Sequence, residues 1–340
     1  MGACPGGRGQ PGTGAYRVRA EVAESERLPG DHHRLVLKAP RIAEEAGPGQ
    51  FVHVWCHPPE EIDRPPCAAI LRRPYSISRV RRPGEVELLL RVRGVGGRML
   101  ASKRVGDQLD VIGPLGRGFQ IRPELRRALI AAGGIGLAPV PFLIEALASQ
   151  SVQVTLLAGA AHDAMVPYRV DRQGAQGASL PDLAALGAEV AFVSEEVDGK
   201  LVSELLEARL GELDPEQDEV MAVGPRAMLK RVAELTEGRV RAQVSLEERM
   251  ACGVGACRSC VVPVAKQASP AAMAATEGGL ATRSGEGLGY GRAERPAGPS
   301  ASLRVNSGAP ALQNGPTYKT VCREGPVFHA NEIDWERLDP

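Results

Sequence analysis

The sequence predicts a multidomain protein of mixed β and α/β class, with an N-terminal antiparallel β-barrel, a parallel α/β domain and a small C-terminal segment rich in cysteine. Three observations predict this arrangement. The first part of the chain contains short β-rich runs, the middle part alternates apolar strands with helical patterns, and four of the seven cysteines lie in the last part. We place a tail at residues 1–15, the barrel at 16–120, the α/β domain at 121–244 and the cysteine-rich segment at 245–340.

Length and charge limit the classes of function. A chain of 340 residues is too long for one ordinary core and suits two domains plus a small one. The 41 basic and 41 acidic residues balance, so no net field attracts nucleic acid or an anionic membrane. The longest apolar runs are also far shorter than the roughly 18 residues that cross a bilayer. We therefore expect neither nucleic acid nor a membrane as a partner.

The tail and the cysteines indicate a compartment. Residues 1–14 are rich in Gly and Pro and lack the apolar stretch of a signal peptide, which predicts a disordered tail. The seven cysteines are odd in number, and their C-terminal clustering favours a metal or cluster site in a reducing compartment over a disulfide framework. We expect the protein to be cytoplasmic.

The barrel and the sheet follow from the spacing of β-rich runs. Runs broken by Gly, Pro and charge predict the barrel strands, at residues 34–38, 51–55, 75–80 and 85–92. After Gly113-Pro114-Leu115-Gly116 the pattern changes to apolar strands at residues 128–132, 152–158, 189–193, 220–223 and 240–244. Apolar residues at three- and four-residue spacing predict helices between them, at residues 138–149, 201–210 and 226–236.

The C-terminal cysteines have the spacing C-x4-C-x2-C followed by a fourth cysteine, at Cys252, Cys257, Cys260 and Cys322. This spacing matches plant-type [2Fe-2S] ferredoxins, whose two irons need four thiolates. Small residues such as Gly253 and Gly255 let a loop wrap tightly and aim backbone N–H groups at sulfur. A structural zinc site is the alternative, although zinc usually takes two C-x2-C pairs and one is present here.

A long stretch at residues 265–316 separates the third and fourth of these cysteines. Ala, Gly, Ser, Pro and Arg follow one another there without a period, which predicts a disordered insertion. A roughly fivefold longer loop costs about 1.4 kcal/mol more to close, which is small beside the free energy of ligating a metal centre. The insertion is therefore compatible with one cluster site.

A flavin-binding motif is predicted at Arg73, Pro74, Tyr75 and Ser76, where a new strand begins. The arginine can bind a pyrophosphate bidentately, the tyrosine can pack beside the flavin or ribityl chain, and the serine can hydrogen-bond near flavin N5. An edge-strand arginine and a core tyrosine are the alternative. Downstream, Gly96 and Gly97 can bring backbone N–H groups to the same pyrophosphate if a helix starts at Arg98, although a plain turn also explains them.

Two further glycine motifs indicate a nucleotide site on the predicted sheet. Gly133, Gly134 and Gly136 lie between a strand and a helix, where a nucleotide can approach the helix N-terminus. Gly224-Pro225 follows another strand, at the carboxyl end where open α/β sheets bind ligands. Ordinary strand-to-helix geometry is the alternative for both motifs.

The order of these motifs resembles the ferredoxin-reductase superfamily fused to a C-terminal [2Fe-2S] segment. Residues 245–257 (SLEERMACGVGAC) and 318–328 (YKTVCREGPVF) look like the electron-transfer subunits of dihydroorotate dehydrogenase B, the NAD-linked enzyme of pyrimidine biosynthesis. The resemblance covers residues 16–265 and 315–333. Gly97 departs from it, because the family usually has threonine there, and so does Val223, where a cysteine often precedes Gly-Pro.

The resemblance implies three cofactors and a partner. FAD would contact Arg73, Pro74, Tyr75, Ser76, Leu89, Leu90, Arg91, Gly96 and Gly97. NAD would lie at Gly133, Gly134, Gly136, Gly224 and Pro225, and a [2Fe-2S] cluster would bind Cys252, Cys257, Cys260 and Cys322. An FMN-containing catalytic subunit would oxidise dihydroorotate and send electrons through the cluster and FAD to NAD+, in a heterotetramer of two catalytic and two electron-transfer subunits.

The same motifs are compatible with two other functions. An NAD(P)H-linked reductase subunit of another complex, such as a hydrogenase or a glutamate-synthase-like enzyme, would use the same cofactors. A flavin-free, zinc-bound scaffold is the alternative outside enzymology. The chemistry requires no acid–base residue in this chain, so we name no catalytic residue. The six histidines form no metal-ligand motif and are interpreted as surface or packing residues. Cys4, Cys56 and Cys67 lack partners at useful spacing.

Overall fold

A computed structural model of the chain describes residues 14–56, 71–81, 84–172, 178–265 and 317–338. The predictions of a disordered tail and of a disordered insertion fall almost wholly on residues 1–13 and 266–316, outside the described residues. Cys4 and Cys67 also lie outside them.

Six antiparallel strands form a closed barrel, which confirms the predicted class of the N-terminal part. They are β1 (Tyr16–Arg27), β2 (His32–Lys38), β3 (Phe51–Val54), β4 (Arg73–Val80), β5 (Glu85–Arg91) and β6 (Gln108–Leu115), in the order β1-β2-β5-β4-β3-β6. Helices α1 (Pro40–Glu45) and α2 (Gly94–Ala101) lie between strands. Side chains alternate across each strand, so Val52 and Val54 fill the barrel interior while Phe51 packs outside it.

Five parallel strands form the predicted α/β sheet. They are β7 (Arg127–Gly133), β8 (Gln153–Ala160), β9 (Ala188–Ser194), β10 (Asp218–Val223) and β11 (Arg241–Ser245), in the order β11-β10-β7-β8-β9. Helices α3 (Val140–Ala148), α4 (Pro181–Ala184), α5 (Glu195–Asp198), α6 (Val202–Arg209) and α7 (Arg226–Thr236) connect them. Leu129 and Ile130 of β7 belong to different cores, so both faces of the sheet are buried, which explains the consecutive apolar residues of this central strand.

The C-terminal segment adds a sixth strand to this sheet. It contains β12 (Val261–Val264), β13 (Thr317–Thr320), α8 (Val321–Glu324), β14 (Val327–His329) and α9 (Trp335–Leu338). Strand β12 pairs with β13, and β14 pairs antiparallel with β11, where Phe328 lies opposite Val244. The sequence patterns predicted neither pairing. Among the helices in the described ranges, none has the length and apolar character needed to span a membrane.

A tight junction joins the barrel to the C-terminal segment. The backbone N–H of Arg117, just after β6, donates to the carbonyl of Gly325 at 2.5 Å, and the N–H of Val327 donates to the carbonyl of Arg117 at 3.3 Å. Gly116 has a positive φ of 77°, and a Cβ at this position would lie 2.5 Å from the Gly325 carbonyl oxygen. This position therefore requires glycine for both backbone conformation and space.

We expect Gly116→Ala to lower the free energy of unfolding by about 2–5 kcal/mol, because a left-handed backbone costs about 1–2 kcal/mol and an overpacked contact about 1–3 kcal/mol. Gly106→Ala is the matched control, since Gly106 has a φ of 92° but no heavy atom near the added Cβ. Its loss should be about 1–2 kcal/mol. Urea unfolding of the two variants measures the difference, and equal losses would mean that the junction contributes no packing constraint.

Candidate functional site

The four C-terminal cysteines come together at a loop between β11 and β12. The backbone N–H of Cys257 donates to the Sγ of Cys252 at 3.4 Å, which links the first two cysteines. The other two are adjacent because the N–H of Val321 donates to the carbonyl of Cys260 at 2.9 Å, which places Cys322 beside it. Cys260 and Cys322 are buried, whereas Cys257 is exposed. The thiols therefore form an outer and an inner pair.

Glycines shape this loop around the sulfurs. Gly253 and Gly255 have positive φ values of 72° and 82°, which ordinary residues rarely adopt. The N–H of Gly255 then donates to the Sγ of Cys322 at 3.1 Å, and the N–H of Val254 to that of Cys252 at 3.5 Å. Backbone donors aimed at sulfur stabilise thiolate charge.

The two thiol pairs differ in acidity. Hydrogen bonds from the side chain and backbone of Ser259 lower the pKa of Cys257 to about 6. Burial, with neighbouring Cys260, raises the pKa of Cys322 to about 12. At neutral pH the exposed sulfur is a thiolate ready to bind a metal, while the buried one loses its proton on ligation.

The donor set fits a two-iron cluster. Each iron of a [2Fe-2S] cluster takes two thiolates, which matches an outer and an inner pair. A structural zinc site instead needs four ligands around one point.

A buried histidine lies against the cluster loop. His53 of β3 is fully buried on the outer face of the barrel, and neither ring nitrogen has a hydrogen-bond partner among the described residues. A Cβ on Gly253 would lie 2.4 Å from its Nδ1. The backbones of Cys252 and Arg72 both lie close to the ring, although neither completes a hydrogen bond with it. Burial lowers the pKa of His53, so the ring is neutral at neutral pH.

Sequence reasoning missed His53, which it interpreted as one of six surface or packing histidines. A buried polar group without a partner costs about 1–3 kcal/mol. No local motif distinguishes His53 from the other histidines. Its position becomes apparent when β3 and the cluster loop, which are far apart in sequence, are brought into contact.

Arg73 and helix α2 form an anion-binding corner. The guanidinium of Arg73 donates to the carbonyls of Leu71 and Arg72 at 2.8 and 3.2 Å, and no described carboxylate pairs with it. A Cβ on Gly96 would lie 3.3 Å from Arg73 Cγ and 3.3 Å from Cys56 Sγ, so the helix approaches both side chains closely. The N–H groups of the first helical turn lack intrahelical partners. A cation and free backbone donors therefore converge where a pyrophosphate could bind.

Helix α2 begins at Gly94, four residues before Arg98, the start that would place the glycines in a turn ahead of the helix. Gly96 and Gly97 thus lie in the first helical turns instead of in a preceding turn. A Cβ on Gly97 would lie 3.2 Å from the carbonyl oxygen of Arg91. Gly97, which stands where the family usually has threonine, therefore lies at a close contact between α2 and the end of β5.

The remaining predicted flavin residues differ in what their side chains can reach. Tyr75 and Ser76 are half-buried on β4, and burial raises the pKa of Tyr75, which keeps the phenol protonated. Leu90 packs in the barrel interior, so its backbone rather than its side chain is available to a ligand. The Nε of Arg91 bonds both carboxylate oxygens of Asp31 at 2.9 Å.

The two glycine motifs of the sheet meet at its carboxyl edge. A Cβ on Gly136 would lie 2.5 Å from the carbonyl oxygen of Val223 and 2.9 Å from the Cα of Gly224. Gly134 has a φ of 55° and open space around it. The turns after β7 and β10 therefore touch through glycine and leave a shallow edge where a nucleotide could lie.

Comparison with known sequences identifies close relatives. A family model described as the iron-sulfur cluster binding domain of dihydroorotate dehydrogenase B matches residues 247–275. The chain is 40% identical over 237 residues to the "Dihydroorotate dehydrogenase B (NAD(+)), electron transfer subunit" of Desulforamulus reducens, covering 68% of this chain and 82% of that protein. The protein of the same name from Bacillus caldolyticus is 33% identical over 322 residues, covering 93% and 98%.

Comparison with solved structures identifies related folds. A NADH-dependent reduced ferredoxin-NADP oxidoreductase superimposes with a TM-score of 0.66 and 21% identity, over 94% of this chain and 91% of the other. A ferredoxin NADP+ reductase from Neisseria gonorrhoeae has a TM-score of 0.53 and 16% identity, over 66% and 92%. These neighbours share the barrel and α/β architecture.

Gly253→Ala should prevent the loop from closing on His53, because the new Cβ combines a left-handed backbone with a contact at 2.4 Å. We expect a cost of about 2–5 kcal/mol in loop closure and loss of most iron and acid-labile sulfide. Gly238→Ala is the control, since Gly238 has a φ of 66° and no heavy atom near its added Cβ. Iron and sulfide are measured per chain after anaerobic purification. Equal contents in both variants would contradict this view of the loop.

Proposed function

Because the chain belongs to the family of dihydroorotate dehydrogenase B electron-transfer subunits, we propose that it performs that role in de novo pyrimidine (UMP) biosynthesis. In this role it carries electrons from the oxidation of dihydroorotate to NAD+. The observation that carries the proposal is the assembly of two thiol pairs, from segments far apart in sequence, next to the outer face of the barrel.

Each cofactor is assigned to one group of residues. The [2Fe-2S] cluster is held by Cys252, Cys257, Cys260 and Cys322. FAD is bound by Arg73, Pro74, Tyr75, Ser76, Leu89, Leu90, Arg91, Gly96 and Gly97. NAD is bound by Gly133, Gly134, Gly136, Gly224 and Pro225. When bound, the cluster carries single electrons and FAD accepts one or two, so the flavin can convert single-electron transfer into hydride transfer to NAD+.

The residues of this chain bind and orient rather than catalyse proton transfer. Arg73 and the first turn of α2 would neutralise the pyrophosphate of FAD. Tyr75 keeps its proton and would pack beside the flavin, and Ser76 would offer it a hydroxyl. At the sheet edge, glycines let the nicotinamide dinucleotide approach the backbone closely. Val223 is buried in the core, so it supplies packing where other family members place a thiol.

The partner is an FMN-containing catalytic subunit, with two copies of each chain in the complex. Val254 of the cluster loop is 48% exposed beside exposed Cys257, and an exposed apolar side chain suits a protein interface. We place the complex in the cytoplasm, where thiols remain reduced before they bind iron.

Coexpression with an FMN-containing dihydroorotate dehydrogenase subunit tests the function. We expect a stable complex with one FAD and two acid-labile sulfides per chain that reduces NAD+ when given dihydroorotate. Omission of this chain should abolish NAD+ reduction while dihydroorotate oxidation with an artificial acceptor continues. A loaded chain that combines only with another oxidoreductase would contradict the pyrimidine role. A colourless, zinc-containing chain after anaerobic reconstitution would contradict electron transfer altogether.

Arg73→Ala should weaken FAD binding about 10- to 100-fold, because a charge-assisted hydrogen bond contributes about 1.5–3 kcal/mol. Cluster content should remain unchanged. Arg231→Ala is the control, because Arg231 is exposed and pairs with Glu207 and Glu234 on the surface. Fluorescence titration of the flavin-depleted proteins measures FAD affinity. Wild-type affinity in Arg73→Ala would remove this residue from the flavin site.

A further inference from the structure

His53 stands out among the barrel histidines because both of its ring nitrogens are buried and neither completes a hydrogen bond with any residue that the structure describes. By contrast, His32 Nδ1 lies 2.8 Å from the carbonyl oxygen of Pro29, and His33 Nε2 lies 2.9 Å from the Oγ of Ser25. Buried polar groups in proteins are almost always hydrogen-bonded. Among the described residues, the backbones of Cys252 and Arg72 come close to the ring but complete no hydrogen bond with it, so the imidazole is available to a partner beside the cluster loop.

The position of His53 limits what that partner is. Its strand pairs His53 with Pro74 of the flavin motif and with Ile112 of β6. On the other side its Nδ1 faces Gly253, and the backbone of Cys252, the preceding residue, is also close to the ring. Phe51, on the same face of β3, packs into the core that contains Cys260 and Cys322. His53 thus lies between the flavin-binding strand and the cluster loop.

We propose that His53 donates a ring N–H hydrogen bond to the [2Fe-2S] cluster or to the Cys252 thiolate that ligates it, and so tunes the cluster's reduction potential. This inference rests on the proposed function. It assigns His53 as a positioning and tuning residue contributed by the barrel, whereas the four ligands come from the C-terminal segment.

The chemistry of the cluster determines the direction of the effect. Reduction adds negative charge to the cluster. A hydrogen-bond donor aimed at its sulfur therefore stabilises the reduced cluster more than the oxidised cluster. The hydrogen bond therefore makes the cluster easier to reduce. It also satisfies a nitrogen that is otherwise buried without a partner. The absence of a Cβ at Gly253 is what allows the ring to approach so closely.

Magnetic resonance of the reduced cluster tests the contact directly. The wild-type full chain, labelled with ¹⁵N-histidine and reduced with dithionite, should give a ¹⁵N hyperfine coupling in pulsed electron paramagnetic resonance. His53→Phe should lose that coupling. His33→Phe, which changes a buried barrel histidine with a protein partner, should retain it.

A redox titration supplies a second measurement. At a fixed potential, His53→Phe should show a reduced-to-oxidised cluster ratio about 2- to 10-fold below that of the wild type, the effect of one hydrogen bond. His53→Gln, which keeps an N–H donor, should restore most of the ratio. If the phenylalanine variant fails to fold, the glutamine variant and the wild-type coupling still test the proposal.

The outcomes separate this proposal from the proposed function. A wild-type chain that binds no cluster after anaerobic reconstitution would overturn the electron-transfer function itself. A loaded wild-type cluster without a histidine coupling, or with an unchanged ratio in His53→Phe, would leave that function intact and eliminate the role of His53. A lost coupling together with a lowered ratio would establish the role.

Discussion

The rest of this structure depends on one constraint, the close packing of Cys322 against Cys260, which lies far from it in sequence. The fourth cysteine follows a long intervening segment, yet its thiol must lie within ligand distance of the same cluster as the first three. Two strand pairings accomplish this, since β12 pairs with β13 and β14 adds to the edge of the large sheet at β11. A backbone hydrogen bond from Val321 to the carbonyl of Cys260 completes the register.

The contact between Cys260 and Cys322 lies in a core shared by the barrel, the parallel sheet and the C-terminal segment. Cys260 and Cys322 share a hydrophobic core with Leu229 of α7 and Val244 of β11, so the cluster ligands are built on the sheet rather than on a separate module. The carbonyl of Pro326 accepts a hydrogen bond from Leu246 N–H at 2.9 Å, just before the cluster loop. The position of the inner thiols relative to the barrel is thus set by packed backbone and by Phe51 and Leu115 of the same core.

Local patterns in the sequence predicted the elements that carry strong apolar runs and the motifs that need unusual residues. They failed where structure depends on distant partners. Strand β1 was not predicted, because its apolar residues are small or stand singly between charged ones. Gly113 and Pro114 were predicted to mark a domain boundary, although both lie inside β6. A Cβ on Gly113 would lie 2.7 Å from Val52, which explains the glycine within the strand. The β14 pairing and the burial of His53 arise between segments far apart in sequence, so periodicity carries no signal for them.

The placement of β14 at the edge of the sheet also fixes the order in which this protein matures. The barrel and the five parallel strands are complete by Ser245, so they can fold while the ribosome is still extending the chain. The β11 edge that pairs with β14 stays open, and the set of four thiols stays incomplete, until the residues after 317 have been synthesised. A cluster that needs all four thiolates would therefore be inserted late, and Cys252, Cys257 and Cys260 would until then form a partial ligand set open to other thiophilic metals.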